Sequence, residues 1–313
     1  MLGSPVSPVA TVVVPAWKAE QTIERCLDGL RKQDLGESFE VVVVASGDDS
    51  TVETVRRGFP EVRLLRCAGR LSPGAARNAG VRHAEPRAEV VAFLAADCVP
   101  EPDWLRLRME AHRRGHALVA GFVDVLEPVN VVGWGQYLTK FWTLLGPADR
   151  GSDGAGPLFH LSYRRGVLDG AGPFPDAVVG EDTMYNQALI ERGERILYDP
   201  AIRARHICAS SWAELRRTQV EKGMAAADPA TARLRPALRR WTKAILVRSL
   251  GHTVRIVGLG IAFRPRATLR IVASAPFAFG AIYVRRRAIK DALRGRSHAP
   301  ATPGGTLEVI RSR

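Results

Sequence analysis

The sequence lacks the features that mark secreted, zinc-binding and dinucleotide-binding proteins. Its four cysteines among 313 residues form no Cys-x-x-Cys pair, so we expect a reducing compartment and neither a zinc site nor a disulfide framework. The first apolar run leads into "VPAWKAE" and not into a Gly-x-Gly-x-x-Gly turn, which argues against a dinucleotide-dependent oxidoreductase. The start, "MLGSPVSPVATVVVP", has neither the basic region nor the long apolar core of a signal peptide, so export is not expected.

Acidic residues are almost missing from the last quarter of the chain. Residues 233–313 carry 18 Lys and Arg against two acids, a net charge of +16, whereas residues 1–232 carry 27 basic and 30 acidic residues, a net charge of −3. A catalytic domain that binds nucleic acid needs a basic surface of its own. We therefore predict no nucleic-acid partner and expect the tail to contact another anionic surface. An RNA-binding tail is the alternative, and the apolar runs between its arginines disfavour it.

The tail also lacks an uninterrupted apolar run of the about 20 residues that a spanning helix needs. Arg248, His252 and Arg255 fall on one face of an otherwise apolar helix, and the 14 uncharged residues Ile271–Val284 are interrupted by Pro276. Apolar and basic character together predict amphipathic helices in the interface of an anionic leaflet, or a shallow re-entrant hairpin. Packing of these helices on the main domain is the alternative.

Buried strands alternate with amphipathic helices in the first half of the chain. The strands are indicated by the continuous apolar runs in "TVVVP", "FEVVVVASG", "VRLLR" and "EVVAFLAADC", and helical spacing of apolar residues lies between them. This order predicts a mostly parallel sheet covered by helices, with ligands bound beyond the carboxyl ends of the strands. Those ends are Pro15–Trp17, Ala45–Asp49 and Ala95–Asp97. Further along, the pattern predicts a helix from about Glu181, ended by Gly193, and then a strand that leads to His206.

Five segments between about residues 9 and 222 resemble, in order, the family-2 inverting glycosyltransferases of the GT-A fold. "VVVPAWKAEQTIERCLDGL" is similar to the opening strand and helix of that family, and "VVVVASGDDST" to its acidic nucleotide-binding turn. "SPGAARNAGVRHA" resembles the segment beside the donor diphosphate, and "FLAADCVPEPDWL" the strand that ends in an Asp-x-Asp metal motif. "GPFPDAVVGEDTMYNQALIERGERILYDP", followed by a histidine, resembles the acceptor-side loop and the Glu-Asp base motif.

The resemblance implies an α/β fold with a Rossmann-like mixed sheet, to which the helical, membrane-associating tail is added. We divide the chain into a disordered N-terminus (1–8), a GT-A glycosyltransferase domain (9–225), a basic apolar helical tail (226–296) and a disordered C-terminus (297–313). The implied activity is transfer of a sugar, with inversion, from a nucleotide-diphosphate donor to a lipid-linked or cell-envelope glycan acceptor. We expect it at the cytoplasmic face of the cell membrane, on an anionic membrane surface.

The same resemblance implies roles for individual residues. Asp182, preceded by Glu181, matches the catalytic base, and the N-terminus of its helix favours the ionised form that a base needs. Asp97 and His206 match the ligands of a divalent cation, Mn²⁺ or Mg²⁺, that neutralises the departing diphosphate. The residues implied to contact the donor are Pro15, Trp17, Glu20, Ser46, Asp48, Asp49, Arg77, Asn78, Ala96 and Asp97.

Each of these roles has a structural alternative. Asp97 is also placed to cap the next helix, Glu181 and Asp182 to satisfy a helix dipole, and Arg77 to pair with a surface acid. His206 has the alternative of a structural histidine.

Two motifs depart from the family pattern, both on the nucleotide side. The Asp-x-Asp motif is Ala95-Ala96-Asp97 here, which keeps only the last acid; magnesium and manganese often take just one or two carboxylates plus phosphate. The acidic pair of the nucleotide turn is Ala45-Ser46, with Asp48 and Asp49 displaced along the loop as nucleotide contacts or as plain turn residues. These departures support one alternative function, a catalytically silent GT-A-like membrane scaffold or partner subunit.

Overall fold

A nine-stranded mixed sheet runs through the computed structural model, which describes residues 7–145, 160–225, 238–240, 242–295 and 307–310. The strand order is β5-β8-β6-β7-β4-β1-β2-β3-β9. The strands are β1 (Ala10–Trp17), β2 (Phe39–Ser46), β3 (Arg63–Cys67), β4 (Val90–Phe93), β5 (Cys98–Pro100), β6 (Leu118–Val125), β7 (Ser162–Arg164), β8 (Ile196–His206) and β9 (Leu307–Ile310). The main helices are α1 (Ile23–Arg31), α2 (Thr51–Gly58), α3 (Pro73–His83), α4 (Trp104–Arg113), α5 (Val131–Phe141), α6 (Arg165–Ala171), α7 (Glu181–Glu191), α8 (Trp212–Met224), α9 (Ile245–Phe263) and α10 (Thr268–Ala292).

Strands β3, β2, β1 and β4 are parallel, as the alternation of strands and helices predicts. Ile23, Leu27 and Leu30 of α1 are at most 1% exposed, because their helical spacing turns all three side chains toward the sheet. The parallel register pairs Trp17 with Ser46 at the carboxyl edge of the sheet. The predicted ligand-binding ends of β1 and β2 therefore lie side by side.

The second half of the sheet is mixed, so the expectation of a mostly parallel sheet holds only for the first half. β7 lies antiparallel between β4 and β6, and β5 is antiparallel to β8. Only residues 94–97 separate β4 from β5, which is too short for the crossover that a parallel neighbour needs. The chain therefore leaves the edge of β4 and pairs Cys98 with His206.

The C-terminus corrects one sequence prediction. Leu307–Ile310 forms β9, antiparallel to β3, so the expected disorder of residues 297–313 is wrong for these four residues. The physical reason is that the open edge of β3 offers unpaired backbone groups to any extended segment that reaches it. Residues 1–6 of the predicted N-terminal disorder (1–8), and residues 297–306 and 311–313 of the predicted C-terminal disorder, lie outside the described residues.

The tail helices are longer than the apolar runs of the sequence suggest, because α10 continues through Pro276. By length and composition, α9 and the segment Pro265–Ala292 are each sufficient to cross a membrane. α10 packs closely on α5 and α8: a Cβ on Gly135 would lie 2.9 Å from Phe277, and one on Gly280 would lie 2.6 Å from Trp212. The packing alternative therefore holds for this face of the tail. α9 keeps an exposed apolar face.

Candidate active site

The turn after β4 brings Asp97 and His206 together at the carboxyl edge of the sheet. The Ile207 N–H donates to the Asp97 carbonyl at 2.8 Å, beside the pairing of β5 with β8. As a result, Asp97 Oδ2 lies 2.9 Å from His206 Nε2. His206 is only 1% exposed, whereas the Asp97 side chain is 38% exposed. The two residues expected to form a metal site are therefore neighbours.

Lys140, which the sequence patterns did not single out, completes this cluster. From the last turn of α5 it places Nζ 2.7 Å from His206 Nε2 and 3.3 Å from Asp97 Oδ2. An ammonium has only donors and a carboxylate only acceptors. His206 Nε2 therefore accepts from Lys140 when the imidazole proton is on Nδ1, 3.2 Å from Cys208 Sγ, and donates to Asp97 when the proton is on Nε2. The sequence signal was a single charge inside the aromatic stretch "WGQYLTKFW".

The three groups set one another's ionisation. Burial disfavours a carboxylate, but Lys140 and then His206 outweigh it and hold the pKa of Asp97 well below its usual range. Burial and the nearby Lys140 lower the pKa of His206, so the imidazole is neutral at pH 7. Burial works against the charge on Lys140, yet Asp97 raises its pKa. The cluster therefore consists of a carboxylate, a neutral imidazole and an ammonium.

In this arrangement the residues do not fit a resident divalent cation. The carboxylate and the imidazole Nε2 both contact the Lys140 ammonium, and within the described ranges no group of three His, Cys, Asp or Glu residues is placed to hold a metal. Two unit charges 4 Å apart interact by about 4 kcal/mol at an effective dielectric constant of 20, and a divalent ion beside Lys140 would meet about twice that as repulsion. The metal roles expected for Asp97 and His206 thus require Lys140 to move away.

On the acceptor side, Gly180 takes a left-handed conformation (φ 81°) and α7 begins at Glu181. Glu181 forms an ion pair with Arg77 and its side chain is 7% exposed. Asp182 Oδ1 accepts from the Thr183 N–H at 2.7 Å, and its Oδ2 lies 3.8 Å from Arg77 Nη2. The Asp182 side chain is 20% exposed, so it is the more accessible of the two carboxylates.

The start of α3 holds the loop that precedes α7. The Asn78 amide is bonded to both the N–H and the C=O of Phe174, at 2.8 and 2.9 Å. Ser72 caps α3 by accepting from the Ala75 N–H at 3.0 Å and also donates to Asp176. Arg77 and Asn78, expected to contact the donor diphosphate, are thus engaged by protein groups of the acceptor-side loop.

Gly74 is required for this contact between α3 and the loop. A Cβ at Gly74 would overlap the Pro175 carbonyl oxygen, a backbone atom with little freedom to shift. We expect Gly74→Ala to lower the free energy of unfolding by about 1–3 kcal/mol, as other overpacking substitutions do. Thermal denaturation measures this, with Gly170→Ala as the control, since nothing lies within 4 Å of a Cβ there. Equal melting temperatures for the two variants would contradict the expectation.

On the nucleotide side, the Trp17 ring makes cation–π contacts with two basic side chains. The Arg70 guanidinium carbon lies 3.6 Å from the ring centroid, and Lys18 Nζ lies 4.8 Å from it. Arg70 thus covers a ring expected to stack a nucleotide base, and a base would stack there by displacing Arg70 or by extending the stack over it. Sequence patterns gave no signal for Arg70.

The other predicted donor contacts divide into structural and accessible positions. Asp49 accepts from the Lys18 N–H at 2.9 Å and the Thr51 N–H at 2.8 Å, which is the turn role left open by the sequence. Ser46 is 4% exposed and donates to the Ala16 carbonyl at 3.5 Å, so it too has a structural role. Ala96 is buried, Pro15 is partly exposed, and Glu20 and Asp48 are exposed at the edge of the sheet.

Two side chains, His160 and Lys222, interact electrostatically with both the Asp97 cluster and the Arg77–Glu181 pair. Burial and Lys140 lower the pKa of His160 to about 3, with Asp97 opposing and Arg77 adding to the effect. Burial, Lys140 and Arg285 lower the pKa of Lys222 to about 7, while Asp97 and Glu181 act in the opposite direction. The clusters around Asp97 and Glu181 therefore belong to one electrostatic region.

A cleft of about 720 Å³ on another part of the surface, lined by Asp124, Arg203 and Arg264 among others, includes none of the predicted site residues.

Residues 11–169, half of the chain, match the family model of glycosyl transferase family 2. The chain belongs to this family. The chain is 25% identical over 198 residues to glycosyltransferase AglE of Haloferax volcanii, a match covering 61% of this chain and 64% of AglE. It is 35% identical over 128 residues to the succinoglycan biosynthesis protein ExoO of Rhizobium meliloti, covering 40% of this chain and 35% of ExoO. The matched part spans less than two thirds of either relative.

Among solved structures, the chain is similar to the mannosyltransferase PcManGT from Pyrobaculum calidifontis, which was determined in complex with GDP-Man and Mn²⁺. The TM-score is 0.56 at 21% sequence identity, over 93% of this chain and 88% of PcManGT. This similarity shows the fold, and with the family match it confirms the GT-A fold predicted from the sequence.

Proposed function

We propose that this glycosyltransferase moves a sugar from a nucleotide-diphosphate donor to a lipid-linked or cell-envelope glycan acceptor, with inversion at the anomeric carbon. The proposal is carried by two accessible groups: Asp182 at the N-terminus of α7, whose side chain is 20% exposed, and the Lys140 ammonium beside Asp97, whose side chain is 27% exposed. The first group serves as a base for an acceptor hydroxyl. The second lies where positive charge favours a departing diphosphate.

In the proposed reaction, Asp182 accepts the proton of the acceptor hydroxyl while the hydroxyl oxygen attacks the anomeric carbon. The bond between that carbon and the diphosphate oxygen breaks, and the single displacement inverts the configuration. The N-terminus of α7 stabilises the ionised carboxylate that the base needs. Glu181, expected from the sequence to be catalytic, is proposed instead as a positioning residue, because it is buried against Arg77.

The divalent cation expected from the sequence, Mn²⁺ or Mg²⁺, is supported by the proximity of Asp97 and His206 and by the Mn²⁺ in the complex of PcManGT. The position of Lys140 disfavours it. No step of the proposed reaction depends on the cation.

A donor screen tests the proposed activity. The purified chain is incubated with UDP-, GDP- and dTDP-sugars, with and without manganese, and release of the nucleoside diphosphate is measured. We expect release from at least one donor. The alternative of a silent scaffold is favoured by the loss of acids at Ala95 and Ser46. Absence of both binding and turnover with every donor would support that alternative over an enzyme.

We further propose that the tail rests on an anionic membrane surface at the cytoplasmic face of the membrane. Apolar side chains of α9 are exposed, including Leu246 (63%), Val247 (71%) and Val254 (65%). Arg248 and Arg255 are exposed on the same helix. Apolar side chains that enter the interface next to arginines that meet lipid phosphates suit an anionic leaflet.

Vesicle binding tests the proposed membrane surface. We expect the chain to sediment with anionic vesicles more than with zwitterionic ones, and less at high salt. Replacing both Leu246 and Val247 with Ser is expected to weaken binding at least about 10-fold, since burying each side chain contributes about 1.5–3 kcal/mol. Val309→Ser is the matched control, because Val309 is 50% exposed on β9. Unchanged sedimentation of the double variant would refute the proposed surface.

A further inference from the structure

We propose that the Lys140 ammonium, held by Asp97 and His206, takes the place of a divalent cation and neutralises the donor diphosphate, so that transfer does not require a metal. This inference rests on the proposed function and names the group that receives the negative charge of the leaving diphosphate.

The first support is the geometry around Nζ. Asp97 Oδ2 at 3.3 Å and His206 Nε2 at 2.7 Å approach one atom, as the ligands of a metal ion would. An ammonium has three N–H donors, and Asp97 and His206 engage at most two of them, so at least one is left for a phosphate oxygen. Charge-assisted hydrogen bonds to phosphate are among the strong ones in proteins, and lysine binds phosphate as a point charge.

The second support is access from solvent. The Lys140 side chain is 27% exposed and that of Asp97 is 38% exposed, although His206 beneath them is buried. Unlike the buried pair of Arg77 and Glu181, this pair opens at the carboxyl edge of the sheet, where ligands of such folds bind. A diphosphate can therefore approach the ammonium without disturbing the imidazole.

The third support is the charge of the surroundings. The Gly223 region of α8 crosses α10 closely, since a Cβ at Gly223 would lie 2.9 Å from the Arg285 carbonyl. Arg285 Nε is buried and lacks a hydrogen-bond partner among the residues that the structure describes. Lys140 and Arg285 both act electrostatically on Lys222. The positive charges of Lys140 and Arg285, which Asp97 and Glu181 oppose at Lys222, suit a ligand that carries several negative charges, such as a diphosphate.

The fourth support is the sequence of the motif itself. Ala95-Ala96-Asp97 keeps one acid where the family pattern has two, and Lys140 adds one positive charge beside it. In a metal site, the charges of two carboxylates neutralise the charge of a divalent ion. Here the charge of one carboxylate is neutralised by one ammonium, without a metal ion. The lost acid and the position of Lys140 therefore have the same electrostatic explanation.

Binding of nucleoside diphosphates tests the inference without relying on turnover. UDP, GDP and dTDP are titrated into the full chain by calorimetry, once with EDTA and once with Mn²⁺. We expect wild type to bind at least one of them equally well in both conditions. Lys140→Met should weaken that binding in EDTA by about 10- to 100-fold, because it removes a charged hydrogen bond to phosphate. Lys140→Arg keeps the charge and should retain metal-independent binding.

A second readout is Mn²⁺ itself, followed by the electron paramagnetic resonance signal of the free ion with the nucleoside diphosphate present. Wild type should add no Mn²⁺ binding beyond that of the nucleotide alone. Lys140→Met frees Asp97 and His206, and should both take up Mn²⁺ and recover nucleotide binding when the ion is added. Lys32→Met is the matched control, because Lys32 is exposed at the end of α1. Melting temperatures establish that each variant is folded.

The outcomes separate the inference from the proposed function. If wild type binds a nucleoside diphosphate only with Mn²⁺, or if Lys140→Met binds it as wild type does in EDTA, the inference is overturned and the glycosyltransferase function stands. If wild type binds none of the three in either condition, use of a nucleotide-diphosphate donor is refuted, and the inference with it.

Discussion

Asp182→Asn should lower the rate of sugar transfer by about 10²- to 10⁴-fold, the contribution usual for a positioned general base. An amide has the same shape as the carboxylate but does not accept the proton of the acceptor hydroxyl. The Asp182 side chain makes its closest polar contacts with Thr183 and Arg77 of its own surroundings, and no described contact joins it to the Lys140 cluster. We therefore expect the affinity for a nucleoside diphosphate to stay unchanged.

The measurement compares the single-turnover rate of transfer with the affinity for the nucleoside diphosphate found by calorimetry. Glu191→Gln is the matched control, since it makes the same chemical change at the opposite, exposed end of α7. Loss of nucleotide binding in proportion to the loss of rate would assign Asp182 to the donor side. A rate close to that of wild type would remove it from the mechanism.

Arg77→Met should lower the free energy of unfolding by about 3–5 kcal/mol, the range for breaking a buried ion pair by removal of one partner. The Arg77 side chain is 16% exposed and that of Glu181 is 7% exposed, so the Glu181 carboxylate would be left buried without its counter-charge. Each kcal/mol corresponds to about 2–4 °C in melting temperature for a domain of 150–250 residues, so a fall of roughly 10 °C is expected. Transfer should fall as well, because Asp182 follows Glu181 directly.

The loss of stability in Arg77→Met should also depend on pH. Burial raises the pKa of Glu181, and Arg77 opposes that rise, so the pKa rises further when Arg77 is lost. A carboxyl whose pKa is raised by folding favours the folded state below its unfolded pKa, and this contribution is lost as pH rises through the folded pKa. The difference in melting temperature between wild type and Arg77→Met should therefore be larger at about pH 8 than at about pH 5.

Two further variants separate the contribution of the Arg77–Glu181 ion pair to stability from that of packing. Adding Glu181→Gln to Arg77→Met removes the stranded charge and should recover part of the loss and most of its pH dependence. Arg82→Met, at an exposed position in the last turn of α3, should change stability by less than about 1 kcal/mol. A pH-independent deficit in Arg77→Met would show that lost packing explains the effect better than the lost charge.

Much of the fold could be predicted from local patterns in the sequence. The buried strands β1 to β4, the apolar face of α1 and the Ser72 cap of α3 depend on neighbouring residues, whose spacing is visible in the chain. The start of α7 at Glu181 was visible for the same reason, since Gly180 marks the end of the loop before it. The proximity of Asp97 and His206 followed from family resemblance, because 109 residues separate them in the chain.

Contacts between segments that are far apart in the chain could not be predicted from local patterns. Lys140 reaches Asp97 from an element 43 residues away, and only the packing of α5 against the end of β8 brings its ammonium there. The same holds for Arg77, whose expected diphosphate contact gave way to an ion pair with Glu181, 104 residues along the chain. Side-chain pattern decides strands and helices because their hydrogen bonds are local or repeat regularly. Which charge neutralises which depends on the tertiary packing that brings side chains from different elements within a few ångströms of one another.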